Sequence, residues 1–295
     1  MKTQQKPPSG LPEVEPNTRC CSVDGDADRL VYFFVDETGK FNLLDGDRIA
    51  TLIADYLMNL VRECGVSLKL GIVQTAYANG ASTDFIKDQL NVAVACTPTG
   101  VKHLHHKALD YDIGVYFEAN GHGTVVFSKK AKESIAAALC SEDSTDDQKT
   151  ASKKLLLTID LINETVGDAI SDMLLVETIL HAKGWDLKDW LKIYDDLPNL
   201  QQKVKVQDRT IFETTDAERI CVKPEGLQKE INALMKKYKR GRAFVRPSGT
   251  EDVVRVYAEA SDSNDVKTLA AEVSLMVYEM AGGVGDKPVI PAAQL

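Results

Sequence analysis

The chain has 295 residues, 44% of them hydrophobic, enough to bury a sizeable core and, at about 100–200 residues per domain, to form two globular units. Its formal charge is −9, from 35 basic and 44 acidic residues, which argues against nucleic acid or an anionic membrane as the main partner. A polar N-terminus, no run near the roughly 20 apolar residues of a membrane span, and six cysteines without a C-x-x-C pair point to a soluble, cytosolic protein.

Residues 1–19, rich in Pro, Gln and Glu, read as a loop. Leu30–Val35 reads as a strand, followed by a turn at Glu37–Lys40. Ile49, Leu52, Ile53, Leu57, Leu60 and Val61 recur at helical spacing behind Asp45 and Asp47, which can cap a helix start. Beyond them strands and helices alternate. Leu70–Thr75, Val92–Cys96 and Ile113–Phe117 read as strands, with helices predicted over Ser82–Leu90 and Val101–Leu109. Short apolar strands separated by helices imply βαβ units and a parallel sheet, to which Thr124–Ser128 adds one more strand.

Residues 141–154 are polar and charged and read as an exposed insertion or helix junction. Leu155–Ile193 reads as helical, with a stop at Gly184, and Leu197-Pro198-Asn199 as a domain boundary. Strands are expected near Lys203–Phe212, at Ala243–Val245 and at Val253–Ala260. Two amphipathic helices are expected here, one through Leu227, Ile231, Leu234, Met235 and Tyr238, the other from Val266 to Met280.

Three segments carry chemistry. In Asp24-Gly25-Asp26-Ala27-Asp28-Arg29, carboxylates at alternate positions can converge on one hard cation, and oxygen ligands suit magnesium. An EF-hand loop is excluded, because Arg29 stands where that loop needs Gly and Val35 where it needs Glu. An acidic turn with capping aspartates is the alternative.

In Arg246-Pro247-Ser248-Gly249-Thr250-Glu251, arginine offers a planar fork to phosphate oxygens, and Ser248 and Thr250 add hydroxyl donors. Gly249 lets the backbone approach an anion, Pro247 sets the bend, and Arg255 on the next strand can reach back to it. These would be the local positive groups that hold a phosphate against the negative overall charge. An ordinary β-turn is the alternative.

In Glu118-Ala119-Asn120-Gly121-His122-Gly123, the loop leaves the carboxyl end of a strand, where ligands of open α/β sheets bind. Glu118 and Asn120 can hold neighbouring sugar hydroxyls, against the alternative of a polar strand-end turn. Lys102 and His103, in a stretch with His105 and His106, are weaker candidates for proton transfer or substrate contact; a solvated basic helix end is the alternative.

The order and types of these segments together resemble the α-D-phosphohexomutase superfamily, from about Cys20 to Gly283. Asp24–Arg29 resembles its metal loop and Arg246–Thr250 its C-terminal phosphate loop. Glu118–Gly123, with Gln74–Gly80, Thr99–Lys107 and Phe244–Glu259, is similar to the eukaryotic phosphoacetylglucosamine mutases.

The resemblance implies a mixed or parallel-sheet α/β domain, the third of the phosphohexomutase fold, plus a smaller α+β C-terminal domain. Residues 1–40 would be a remnant of the second domain with the metal loop, 41–197 the sugar-binding third domain, and 198–295 the phosphate-binding fourth. It implies interconversion of N-acetylglucosamine 6-phosphate and 1-phosphate through a phosphoserine, on the route to UDP-N-acetylglucosamine, in a four-domain cleft. Asp24, Asp26 and Asp28 would hold Mg²⁺ and Arg29 would support the transferred phosphate. Glu118, Ala119, Asn120 and His122 would line the sugar, and Arg246, Pro247, Ser248, Gly249, Thr250 and Arg255 would grip the phosphate that does not react.

The family's serine loop, of the form T-A-S-H-N-P, has no counterpart here, so the expectation is a chain without the first domain and most of the second, inactive alone. Leu30–Val35 would then be an exposed, unpartnered edge. Two other readings stand beside this one. The chain is a non-catalytic phosphosugar-binding or regulatory protein, or a phosphomannomutase or phosphoglucomutase relative.

Overall fold

The computed structural model describes residues 6–11 and 14–291. Residues 1–5 and 12–13 of the predicted N-terminal loop lie outside them. The chain divides into two compact units, one of residues 1–78, 82–96 and 100–195, the other of 79–81, 97–99 and 196–295.

The first unit opens with a three-stranded antiparallel sheet of β1 (Cys20–Val23), β2 (Leu30–Val35) and β3 (Phe41–Leu44). This corrects the expectation of an unpartnered edge at Leu30–Val35: β2 is the middle strand. Leu30, Tyr32 and Phe34 alternate into the core, and Phe33 meets Phe41 on the opposite face. Helix α1 (Gly46–Cys64) follows, with Asp45 accepting from the Asp47 amide as its cap. The residues of its predicted apolar stripe are all buried.

Next come β4 (Leu70–Thr75), α2 (Gly80–Asp84) running into a π-turn at Phe85–Gln89, β5 (Ala93–Thr97), α3 (Val101–Ala108), β6 (Ile113–Phe117) and β7 (Gly123–Phe127). Their sheet has the order β5-β4-β6-β7. It is mixed: β4 and β6 run parallel, whereas β6 and β7 form an antiparallel hairpin. The hairpin loop is the Glu118–His122 segment.

The predicted helix over Leu155–Ile193 is broken. After α4 (Lys129–Cys140), the stretch expected to be an exposed insertion or helix junction is a helix junction: α5 (Asp146–Leu161) begins inside it, where Thr145 and Gln148 form a capping box. A loop at 162–168 separates it from α6 (Ala169–Lys183), which Asp168 caps and Gly184 ends. Helix α7 (Leu187–Leu191) brings Trp190 into the core, where its Nε1 donates to Arg48 O at 3.2 Å. Among the described residues no helix is long and apolar enough to cross a membrane.

The second unit is built on β8 (Asn199–Lys205), the hairpin β9 (Glu213–Thr215) and β10 (Ile220–Lys223), α8 (Leu227–Met235), β11 (Arg242–Pro247), β12 (Val253–Glu259) and α9 (Ser263–Met280). Of the strands expected near Lys203–Phe212, β8 ends at Lys205 and β9 starts only at Glu213, with a 3₁₀ turn at Arg209–Ile211 between them. The main sheet has the order β11-β12-β8 and is antiparallel throughout. Val204, Val245, Val254 and Val256 pack with Leu227, Ile231, Leu269 and Val273 of the two helices. The β11–β12 connection is the Ser248–Asp252 segment.

Candidate metal, sugar and phosphate sites

The aspartate loop joins β1 to β2. Asp24, Asp26 and Asp28 each offer a carboxylate oxygen, and these lie within 4.8 Å of one another. The turn is shaped by Asp24 Oδ1, which accepts from the Asp28 and Arg29 amides at 3.1 Å each. Partial burial pushes the Asp24 carboxyl up, but these amides and the Arg29 guanidinium outweigh it and hold it below its ordinary pKa. Arg29 Nε stands 3.6 Å from both Asp24 and Asp28. Asp28 Oδ1 is buried and has no hydrogen-bond partner among the described residues. A buried carboxylate oxygen that accepts no hydrogen bond among the described residues and has only the 3.6 Å ion-pair contact with Arg29, beside two more carboxylates, fits a hard divalent cation.

The Glu118–Gly123 loop is stitched to the aspartate loop. Leu30 N donates to Gly121 O at 3.1 Å, Arg29 and His122 form an isolated bridge, and His122 Nδ1 lies 3.5 Å from Asp28 Oδ2. Gly121 has φ +92, and a Cβ there would meet Leu30 O at 1.9 Å, so the contact needs glycine. Glu118 is held by Gly100 N at 3.1 Å and by Asn120 Nδ2 at 3.1 Å, while Asn120 Oδ1 accepts from His122 N. The carboxylate and amide are therefore oriented together, and Ala119 sits between them in the turn. The structure brings the aspartates, Arg29, Glu118, Asn120 and His122 into one neighbourhood of the first unit.

A cavity of about 390 Å³ beside them is lined by Asp28, Lys102, His105, His106, Tyr116 and His122, among others. Lys102 therefore faces the aspartate side. His103 does not line the cavity and is exposed; His105 does, with its Nδ1 3.1 Å from Tyr116 OH. Helical spacing alone did not separate His103 from His105, because which face of α3 points to the cavity is set by packing on β6.

In the second unit, Arg246 and Arg255 are direct register partners across β11 and β12, and Lys203 is opposite Arg255 on β8. Directly opposed residues share a face, so three cations form a row across this sheet. Arg246 Nη1 donates to Glu218 Oε1 at 3.0 Å, and Glu218 Oε2 accepts from Thr99 N and Oγ1. Arg255 Nε is buried and has no hydrogen-bond partner among the described residues. Ser248, following Pro247, is 4% exposed; its Oγ faces the Thr250 and Glu251 amides at 3.4 Å each, and Arg209 Nη2 donates to Gly249 O at 3.1 Å. A turn carrying the Ser248 and Thr250 hydroxyls next to a row of cations, one of which has a donor unspent among the described residues, suits an anion such as phosphate. Lys203, Arg209 and Glu218 were not foreseen from the sequence; register and loop contacts bring them here.

Comparison with known proteins gives a consistent result. Residues 45–185 match the family model described as phosphoacetylglucosamine mutase AMG1, domain III, and residues 202–276 match phosphoglucomutase/phosphomannomutase, C-terminal domain. The chain is similar to phosphoacetylglucosamine mutase of Sus scrofa (57% identity) and of Homo sapiens (56%), in each case over 98% of this chain and 53% of the relative. It thus spans about half the length of the curated relatives it matches. Among solved structures, Aspergillus fumigatus N-acetylphosphoglucosamine mutase in complex with GlcNAc-6P and magnesium matches with a TM-score of 0.90 and 51% identity, over 94% of this chain and 55% of that one.

Proposed function

Because this chain belongs to the phosphoacetylglucosamine mutase family of the α-D-phosphohexomutase superfamily, we propose that it binds N-acetylglucosamine phosphate and Mg²⁺ as part of a mutase that interconverts the 6- and 1-phosphates. The observation that carries this reading is the aspartate triad, whose buried Asp28 Oδ1 accepts no hydrogen bond among the described residues, bonded through Leu30 and Arg29 to the Glu118–Gly123 loop.

Asp24, Asp26 and Asp28 would hold Mg²⁺, which neutralises charge on a phosphoryl group in transfer. Arg29 stands at the edge of the triad, where a guanidinium supports the same phosphate. Glu118 and Asn120 bind ring hydroxyls. Arg246, Ser248, Gly249, Thr250 and Arg255 hold the phosphate that does not react, by charge and amide donors that do not read which carbon bears it. Lys102 faces the first-unit cavity and is the better placed of the two proton-transfer candidates. The setting is cytosolic supply of UDP-N-acetylglucosamine, in keeping with six unpaired cysteines.

No segment of the 295 residues has the T-A-S-H-N-P form of the family's phosphoserine loop. These residues alone, given substrate, Mg²⁺ and a bisphosphate activator, are therefore expected to show no turnover; measurable turnover would sink that division of labour.

The second unit matches a model shared with glucose and mannose enzymes, whereas residues 45–185 match the phosphoacetylglucosamine mutase model, which supports placing discrimination of the amino sugar in the first unit. Calorimetric titration with N-acetylglucosamine 6-phosphate and with glucose 6-phosphate tests this. At least about tenfold preference for the acetylated sugar supports the reading; equal affinity favours a phosphoglucomutase relative, and no binding of either leaves no phosphosugar function.

A further inference from the structure

The loop at 162–168 lies against both functional loops of the first unit. Thr124 Oγ1 donates to Asn163 O at 2.8 Å, and Ala169 N, at the end of the loop, donates to Ala27 O at 2.9 Å. Asn163 Oδ1 accepts from the Thr165 and Val166 amides, which folds the segment back on itself. Gly167 then runs along the edge of the His122 ring. A Cβ at Gly167 would stand 2.5 Å from His122 Cδ2, 2.7 Å from Nε2 and 3.3 Å from Asp28 O. On its other side the ring has Asp28, whose Oδ2 is 3.5 Å from Nδ1, and the His122 side chain is only 14% exposed.

Gly167 is not among the residues with positive φ, so its backbone conformation is open to any residue. What the position demands is space. The two shortest contacts are with the tip of a side chain, so an added methyl displaces the imidazole before it displaces backbone. Displacing the imidazole removes the neighbour that borders the Asp28 carboxylate.

We propose that Gly167 is a positioning residue: by lacking a side chain it seats His122 against Asp28 and so sets the geometry of the metal loop from a distant part of the sequence. The consequence for metal affinity rests on the reading of Asp24, Asp26 and Asp28 as a magnesium site; the consequence for His122 does not.

Two measurements on the 295-residue chain separate these. Without metal, carbon–proton spectra of the five histidines should show the His122 ring signals moved in Gly167→Ala, with the other four unchanged. With Mn²⁺ as probe, Gly167→Ala should bind about tenfold or more weakly, the range for residues that orient metal ligands. In a His122→Ala background the same change should alter affinity less than about threefold, because the group it collides with is gone.

Unmoved His122 signals, or an equal loss in both backgrounds, would overturn the proposal. If Gly167→Ala alone is too unstable to fold, the double variant should melt higher than the single one, and a double variant no more stable would count against it. Absence of Mn²⁺ binding by the unsubstituted chain would overturn the metal reading, while the His122 signals would still decide the role of Gly167.

Discussion

Arg246 and Arg255 stand directly opposite one another across the β11–β12 ladder, two like charges on one face of a sheet. Such a pair costs stability, by about 0.2–1 kcal/mol in exposed ladders. Arg246 is relieved by Glu218, whereas Arg255 Nε has no hydrogen-bond acceptor among the described residues. The arrangement is explained if an anion completes it. Arg255→Gln should leave urea stability without ligand unchanged or slightly higher, by less than about 1 kcal/mol. It should weaken phosphosugar binding by about tenfold, since it removes a charge-assisted donor. Loss of stability without loss of binding would assign Arg255 to the fold.

Glu218 is the counterpart. It accepts from Arg246 and twice from Thr99, and the Arg246 and Glu218 side chains are each 18% exposed. Glu218→Ala strands the Thr99 donors and leaves Arg246 without its carboxylate, and should destabilise the second unit by about 1–3 kcal/mol. Chemical denaturation measures it; a change under about 0.5 kcal/mol, the ordinary surface range, would show the pair to be idle.

Gly121→Ala combines a left-handed φ of +92 with a Cβ position 1.9 Å from Leu30 O. The conformation alone costs about 1–3 kcal/mol, and the backbone collision adds to it. The hairpin loop should detach from β2, lowering the melting temperature and weakening Mn²⁺ and sugar binding together. An Ala variant with wild-type melting and metal affinity would contradict the close approach.

Asp172, on α6, is fully buried, and neither carboxylate oxygen has a hydrogen-bond partner among the described residues. Burial first, and the charge of Asp168 second, push its pKa well above the ordinary 3.8. The folded value is thus higher than the unfolded one, and the folded state binds the proton more tightly. Its contribution to stability is complete below about pH 3.8 and is lost as pH rises through the raised folded value. Asp172→Asn should flatten the fall of melting temperature with rising pH in that window; identical curves for the two proteins would show that Asp172 does not titrate abnormally.

Much of this molecule is legible in its sequence where one physical signal dominates. The stripe from Ile49 to Val61 has helical spacing and is buried as such, and Leu70–Thr75 and Ile113–Phe117 are apolar runs that become interior strands. Short strands were missed: Cys20–Val23 and Phe41–Leu44 have four residues each and owe their state to pairing with β2. Leu155–Ile193 reads as helical with a stop at Gly184, and the stop is where α6 ends; the break after Leu161 is hidden because apolar residues continue through Ile162, while it depends on Asn163 folding its own loop and Asp168 capping the next helix. The aspartate triad was visible as alternate carboxylates. Glu218 and Gly167 were not, because strand register, three successive residues of positive φ at 216–218 and a contact with the remote His122 bring them to their places.

The most direct test of the central claim is calorimetric titration of the 295-residue chain with N-acetylglucosamine 6-phosphate in the presence of Mg²⁺, for the unsubstituted protein and for Arg246→Ala and Glu118→Ala. Saturable binding that each substitution weakens by about tenfold or more, a loss of at least about 1.4 kcal/mol, is the predicted result. No binding by the unsubstituted chain, or binding that neither substitution alters, would contradict it.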